Sequence, residues 1–158
     1  MSRPSYPGAP VVATSSIRYA GRVASVEDVL KRMIATGWKP GGPGAEEAIA
    51  RLEAEFDVTF PDDYRVFLRA AGGGEATAPE AYTGLWPLKI IPVFNRRYRI
   101  PWNFPGLFGI GNDGFLVYAF DFRGEAPVIA SLGLSSSLWD DVVTDADTFA
   151  EWLERRLP

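Results

Sequence analysis

The sequence has no histidine and no cysteine among its 158 residues. These absences exclude Ser-His-Asp and Cys-His catalysis, thiolate chemistry and disulfide bonds within the chain, and they remove the usual ligands of zinc. Carboxylates, hydroxyls, lysine and arginine are what remains for chemistry. These absences do not exclude an enzyme, but they exclude the catalytic mechanisms that most small enzymes use.

The sequence also lacks a long apolar run. No uncharged stretch is longer than residues 126–139, which include a proline, a glycine and several serines, and this length is well short of the roughly 20 apolar residues that a transmembrane helix needs. The N-terminus has three prolines and no apolar run typical of a signal peptide. We therefore expect no membrane segment and a cytoplasmic location.

Charge is unevenly distributed along the chain. The net charge is −4, yet residues 1–112 carry 11 acids and 13 bases, whereas residues 113–158 carry 9 acids and 3 bases. Residues 81–112 contain no acid, and their only charged residues are Lys89, Arg96, Arg97 and Arg99. The acidic balance argues against a dedicated nucleic-acid binder, and we expect no nucleic-acid partner.

The first half of the chain has the pattern of helices. Residues 1–14, rich in proline, glycine and serine, are expected to form a flexible arm, followed by a single domain at residues 15–158. Ser25 is a predicted N-cap, residues 45–56 repeat apolar residues with the helical period, and Pro61 is suited to a first helical turn. In the second helix Glu53 is assigned to the solvated face.

The second half has the pattern of strands. Residues 85–94, interrupted by two prolines, are expected at a sheet edge or in an irregular ribbon. Residues 107–110 and 115–122 flank a glycine-rich turn that predicts a hairpin, and residues 127–132 predict a further strand. A last helix is expected near Asp145 or Asp147. The predicted fold is therefore α+β, with N-terminal helices and a C-terminal helix packed on an antiparallel, twisted sheet.

The hairpin turn also matches a nucleotide-binding motif. Residues 109–114 read Gly-Ile-Gly-Asn-Asp-Gly, the pattern G-x-G-x-x-G. That motif binds a pyrophosphate only where the turn leads into a helix. Here the turn leads into an aromatic and β-branched run that favours a strand, so we interpret the glycines as hairpin residues and expect no cofactor.

The acid-free stretch mixes cations with aromatic residues. This combination is found in grooves that bind single-stranded nucleic acid, but also in solvated loops and at protein interfaces. Four cations are few for a phosphate track, whereas arginine, tyrosine and tryptophan are enriched among interface hot spots. The favoured interpretation is a protein contact made by Trp86, Arg96, Arg97, Tyr98 and Trp102.

Acidic residues accumulate before the last helix at positions 140, 141, 145 and 147. Such a group could hold a hard cation or supply an acid–base pair. The spacing lacks the glycine and distal glutamate of a calcium loop, so capping and surface charge are the favoured interpretation and we expect no metal. A negative patch that recognises a basic partner is a third possibility.

Several motifs, taken in order, resemble the SMI1/KNR4 family, also called the SUKH superfamily. The family patterns I-x-x-L-E and L-P-x-D-Y-x-x-F-L correspond to Ile49–Glu53 and Phe60–Leu68, and Gly72–Gly74 stand where N-G-G is usual. Phe60 replaces the leucine, and Ala71 or Gly72 replaces the asparagine. Residues 104–114, the strand at 115–122 and Thr148–Leu153 resemble the remaining pattern, so the resemblance covers about residues 45–157.

The resemblance implies an α+β domain without catalytic residues. Many bacterial members are immunity proteins that bind and neutralise a cognate toxin, often a nuclease or deaminase, so a toxin is the expected partner of a chain that is a monomer by default. Two contact surfaces remain open: the cationic residues given above, and an acidic surface around Asp113, Asp140, Asp141 and Asp145. The alternatives in function are a scaffold or regulatory interaction module and an enzyme that uses carboxylates alone.

Overall fold

A computed structural model gives the structure of residues 24–78 and 81–156. The expected arm at residues 1–14 lies outside these ranges. The helices are α1 (Val26–Ala35), α2 (Glu46–Phe56), α3 (Asp62–Ala70), α4 (Ile91–Arg97), α5 (Ile100–Asn103) and α6 (Phe149–Glu154). The strands are β1 (Lys39–Pro40), β2 (Gly74–Ala78), β3 (Ala81–Leu85), β4 (Leu107–Asn112), β5 (Leu116–Asp121), β6 (Val128–Gly133) and β7 (Val143–Ala146), and a 3₁₀ turn spans Trp139–Asp141.

The strands form one antiparallel sheet in the order of the chain, from β1 to β7. The predicted hairpin is confirmed as β4 and β5, in which Phe108 pairs with Phe120. Gly114 has φ 95° in the turn, a left-handed conformation that glycine adopts without steric cost. Because the turn leads into a strand, its glycines are hairpin residues, and the predicted α+β class with an antiparallel sheet is confirmed.

The predictions for the three N-terminal helices are confirmed with small shifts. The Ser25 hydroxyl accepts a hydrogen bond from the Asp28 N–H at the start of α1, as an N-cap does. Helices α2 and α3 begin at Glu46 and Asp62. The prediction that Glu53 lies on the solvated face is wrong, because its side chain is buried and binds Phe60 and Arg65.

The prediction for residues 85–94 was also wrong. Strand β3 ends at Leu85 and pairs with both β2 and β4, so it lies inside the sheet. The chain then turns at Pro87, whose carbonyl accepts hydrogen bonds from the N–H groups of Ile90 and Ile91. Pro92 lies in the first turn of α4, where a missing N–H costs nothing. The prolines that argued against an interior strand are therefore compatible with a turn and a helix start.

The end of the chain differs from the prediction in one respect. The expected helix begins later, at Phe149, with the Thr148 hydroxyl accepting a hydrogen bond from the Glu151 N–H. The residues before it form β7, an additional strand beside β6. The register between these strands shifts at Ile129 and Ala130, so β7 carries a bulge that a two-residue alternation cannot predict.

One sheet face and the helices enclose an aromatic core. The Tyr64 ring of α3 lies 5.0 Å from the Phe120 ring of β5 and 5.0 Å from the Phe149 ring of α6, between ring centres. Tyr118 and Trp152 make a similar edge contact at 4.8 Å. These side chains are at most 1% exposed, and each such contact adds about 0.5–1.5 kcal/mol beyond area burial.

The opposite sheet face is covered as well. Alternation along β5 places Val117, Ala119 and Asp121 on this face, and all three are buried. The Asp121 carboxylate binds Arg123, whose guanidinium lies over the ring of Trp139. The segment between β6 and β7 therefore packs over the sheet, and the 3₁₀ turn holds its acidic residues at the surface.

Candidate functional site

The cationic segment, defined here as residues 96–102, spans the end of α4, the two residues after it and most of α5. Trp86, expected to contact a partner, is only 4% exposed. Its ring stacks on Tyr98 at 6.3 Å and makes an edge contact with Phe94 at 5.0 Å. Trp86 therefore supports α4 from beneath, and the half-buried Tyr98 is the part of this stack that approaches the surface.

The arginines of this segment differ in their surroundings. Arg96 forms an ion pair with Glu55 of α2, and its guanidinium lies 5.6 Å from the centre of the Phe56 ring. Arg97 and Arg99 are exposed, and neither makes an ion pair with any residue of 24–78 or 81–156. Arg96 thus joins two helices, whereas Arg97 and Arg99 present their charges to solvent.

Arg99 and Trp102 form an exposed pair. The Arg99 guanidinium lies 6.0 Å from the centre of the Trp102 ring, at the limit of a cation–π contact. Trp102 is 52% exposed, which is unusual for so large an apolar side chain. Arg99 has φ 52° and ψ 38°, a left-handed conformation that costs a residue with a Cβ atom about 1–2 kcal/mol.

Asp113 organises the tip of the β4–β5 hairpin. Its carboxylate accepts hydrogen bonds from the N–H groups of Phe115 at 2.9 Å and Leu116 at 2.7 Å. Partial burial acts to raise the pKa of the Asp113 carboxyl, but these bonds, the Tyr118 hydroxyl and the charge of Arg156 together lower it. Asp113 is therefore ionised at neutral pH. Its carboxylate stabilises the hairpin turn through these hydrogen bonds.

Phe115 is a candidate contact residue that the sequence analysis missed. It is 82% exposed at the hairpin tip. Its backbone is held at both polar atoms, since the N–H donates to Asp113 and the carbonyl accepts from the Leu134 N–H. Its position next to the turn glycine was the only sequence signal, and alternation alone cannot distinguish a tip residue from a strand residue.

Asp140 and Asp141 lie exposed on the 3₁₀ turn. The Asp141 carboxylate accepts a hydrogen bond from the Ser136 hydroxyl at 2.7 Å. Trp139, the first residue of the turn, makes an edge contact with Phe104 at 5.0 Å. Because Phe104 directly follows α5, this ring contact joins the end of α5 to the acidic turn.

Asp145 lies elsewhere, on β7. Its carboxylate accepts a hydrogen bond from the Ser131 hydroxyl of β6, and its carbonyl accepts one from Arg155. Nearby, burial raises the pKa of the Asp147 carboxyl, and the charge of Glu151 adds to the effect. The predicted acidic residues thus occupy the hairpin tip, the 3₁₀ turn and β7, and each location has its own hydrogen-bond partners.

The described part of the chain has a groove beside the N-terminal strands that lacks paired carboxylates. This groove of about 320 Å³ lies between β1–β3 and the start of α4, and its charged lining residues are Lys39 and Glu75. A single carboxylate cannot supply the paired acids that a carboxylate mechanism needs. Within residues 24–78 and 81–156, no three acidic side chains lie close enough to hold a metal ion.

The described helices include none that is both long and apolar enough to cross a membrane.

The residues that resemble a family pattern have clear structural roles. Glu53 accepts hydrogen bonds from the Phe60 N–H at 2.7 Å and from Arg65 at 2.5 and 3.2 Å, which joins α2 to α3. Asp63 accepts from the N–H groups of Tyr64 at 2.8 Å and Ala150 at 2.9 Å, which joins α3 to α6. The motifs around Glu53 and Asp63 therefore specify how the helices pack, whereas Arg97, Arg99 and Trp102 lie outside these motifs.

Comparison with known proteins agrees with the family resemblance of these motifs. The sequence pattern of the SMI1 / KNR4 family (SUKH-1) matches residues 43–155, more than half of the chain. No curated protein matches the chain at a significant level. The match includes the helix-joining residues Glu53 and Asp63, the hairpin and α6, in the order that the structure shows. The chain belongs to the SMI1/KNR4 family (SUKH-1).

Proposed function

We propose that the protein is a bacterial immunity protein that binds and neutralises a cognate toxin of the nuclease or deaminase type. The family match over residues 43–155 carries this proposal, because the family is generally of a non-catalytic, immunity type. In this proposal the protein acts in the cytoplasm as a monomer, without cofactor, metal or nucleic acid, and it works by occupying the surface that the toxin needs.

The geometry of the charged residues supports a protein partner. The Phe104–Trp139 contact joins the end of α5, which follows the exposed Arg97 and Arg99, to the turn that carries the exposed Asp140 and Asp141. Charges arranged in this way speed association and select among partners more than they add affinity. Such selectivity is what an immunity protein requires, since it must recognise one toxin among related ones.

Co-expression tests the proposal directly. Each toxin domain encoded beside the gene is expressed with and without this protein, and growth and complex formation are measured. We expect one toxin to arrest growth alone and to be neutralised by the protein through a stable complex with a stoichiometry of one to one. Failure of every neighbouring toxin to bind, together with no rescue of growth, would overturn the proposal.

A scaffold or regulatory module of the same fold is the second candidate. It is favoured by Phe115, Trp102 and Leu138, three exposed apolar side chains at separate positions, because several small contact sites suit a protein with several partners. The gene neighbourhood separates the candidates, since a scaffold has no need of an adjacent toxin. Neutralisation of a toxin would exclude the scaffold as the main function.

A further inference from the structure

We infer that Arg97, Arg99 and Trp102 form a contact surface that binds an acidic groove on the partner protein. This arginine–tryptophan surface lies at the C-terminal end of α4 and on α5. The inference rests on the proposed function, because it names the part of the protein that contacts the toxin and the chemistry of the toxin's own surface.

The charges of this surface are not neutralised within the described residues. Arg96 shows the contrast, since it is bound to Glu55 and to the Phe56 ring, while Arg97 and Arg99 have no such ion pair in residues 24–78 and 81–156. No acid occurs anywhere between residues 81 and 112. Two solvated arginines beside an exposed tryptophan favour a partner that supplies carboxylates, because arginine binds them in a bidentate manner.

The backbone of Arg99 supports a role outside the fold. At φ 52° a glycine would be unstrained, whereas arginine costs about 1–2 kcal/mol. The Arg99 carbonyl accepts the Asn103 N–H and its N–H donates to the Arg96 carbonyl, and a glycine would keep both bonds. The left-handed backbone of Arg99 therefore carries a cost that neither hydrogen bond explains, and strained residues of this kind cluster at functional sites.

The surface is rigidly supported. Asn95 holds α4 to β4 through hydrogen bonds with Gly109 at 2.7 and 2.8 Å. Tyr98 stacks on the buried Trp86, and Ile100 of α5 is 2% exposed. Side chains carried on a fixed backbone lose less entropy on binding, so the aromatic and cationic groups are already placed for a partner.

The surroundings favour a protein over a nucleic acid. Two unneutralised cations are too few for a phosphate track, since each phosphate contact contributes only a part of the affinity. Asp140 and Asp141 lie on the turn that Trp139 joins to Phe104 at the end of α5, and they would repel a phosphate chain that passed over this contact. An acidic protein groove of limited extent satisfies both conditions, with its carboxylates opposite the arginines and its basic rim opposite the aspartates.

The experiment measures binding of a catalytically inactive form of the neighbouring toxin by calorimetry. Three variants alter the surface: Trp102→Ala, the double variant Arg97→Glu with Arg99→Glu, and Arg99→Gly. We expect the first two each to weaken binding about 30-fold or more, as hot-spot residues do. Arg99→Gly should weaken binding without lowering the thermal midpoint, because it removes the side chain and relieves the backbone at once.

Matched controls identify the surface. Lys31→Glu reverses an exposed charge on α1, and Ile34→Ala removes an exposed apolar side chain from the same helix; both should bind as the wild type does. The inference is wrong if the toxin binds the wild type and the three surface variants equally, whether or not the double variant Asp140→Lys with Asp141→Lys weakens binding. It is also wrong if a single-stranded oligonucleotide binds and Arg97→Glu abolishes that binding. If the wild type binds no toxin, the proposed function fails with it.

Discussion

The side-chain amide of Asn95 and the backbone of Gly109 bind each other through a reciprocal pair of hydrogen bonds. Asn95 Oδ1 accepts from the Gly109 N–H at 2.7 Å, and Asn95 Nδ2 donates to the Gly109 carbonyl at 2.8 Å. Strand β3 ends at Leu85, opposite Gly111, so Asn95 satisfies the groups of β4 that no neighbouring strand reaches. One buried side chain thus fixes the helix that carries the arginine–tryptophan surface.

Asn95→Asp should destabilise the protein strongly. Asn95 is fully buried and also donates to the Ile91 carbonyl, and a carboxylate cannot make either donated bond. The free energy of unfolding should fall by about 3 kcal/mol or more, the cost of an uncompensated buried charge. Urea unfolding measures it, with Asn103→Asp as the control, because Asn103 is exposed on α5. Equal effects of the two changes would contradict the role of the Gly109 bonds.

Helices α1 to α3 could be predicted because their apolar residues repeat with the helical period and their ends carry local signals. Ser25 caps α1 through a bond within one turn, and such a bond depends only on nearby residues. The β4–β5 hairpin was predictable for the same reason. In these elements the sequence neighbourhood contains most of the interactions that decide the structure.

Elements that depend on distant partners could not be predicted. Whether residues 87–94 turn and then form α4 depends on Asn95 meeting Gly109, 14 positions along the chain. The burial of Trp86 and Glu53 likewise depends on residues brought together only by the fold. For the candidate site, composition identified Arg97, Arg99 and Trp102, but only the structure separates them from Arg96, which is bound to Glu55.

The arginine at position 123 should not be replaceable by lysine. Its guanidinium binds the buried Asp121 carboxylate at 3.0 and 2.8 Å and lies 3.7 Å from the centre of the Trp139 ring. Lysine keeps the charge but has neither the planar fork nor the stacking surface. Arg123→Lys should therefore lower the free energy of unfolding by about 1–2 kcal/mol, the size of a desolvated cation–π contact.

The control for this change is Arg97→Lys at an exposed position. Surface substitutions of this kind usually stay within about 0.5 kcal/mol, so the two variants should differ clearly in chemical denaturation. Loss of the Trp139 contact should also loosen the segment between β6 and β7, which hydrogen exchange would detect there. Unchanged exchange and unchanged stability in Arg123→Lys would show that this contact does not hold the segment.

Glu53→Gln should weaken the contact between α2 and α3 that Glu53 makes. The substitution removes the charge that binds Arg65 and replaces one acceptor oxygen by a donor. We expect a loss of about 2 kcal/mol in the free energy of unfolding, typical of a charged hydrogen bond. Glu47→Gln is the matched control, since Glu47 is exposed on the same helix. Similar losses in both variants would indicate a general effect of charge on α2.

Asp63 should make stability depend on pH in the direction opposite to an ordinary ion-paired acid. Burial raises the pKa of the Asp63 carboxyl above 3.8, although hydrogen bonds from the N–H groups of Ala150 and Tyr64 lower it in part. An acid whose pKa is higher in the folded state takes up its proton there first. The stability of the wild type relative to Asp63→Asn should therefore rise as pH falls through the raised pKa toward about 4.

The effect of Asp113 on stability should depend on pH with the sign opposite to that of Asp63. Partial burial acts to raise the pKa of its carboxyl, but the Leu116 and Phe115 N–H groups and the charge of Arg156 lower it below the usual value. The stability of the wild type relative to Asp113→Asn should therefore fall when pH drops below about 4, where the unfolded chain binds the proton more readily. Urea titrations of the wild type and both variants across this range test the pair. The same sign of dependence for both residues would show that burial does not dominate at Asp63.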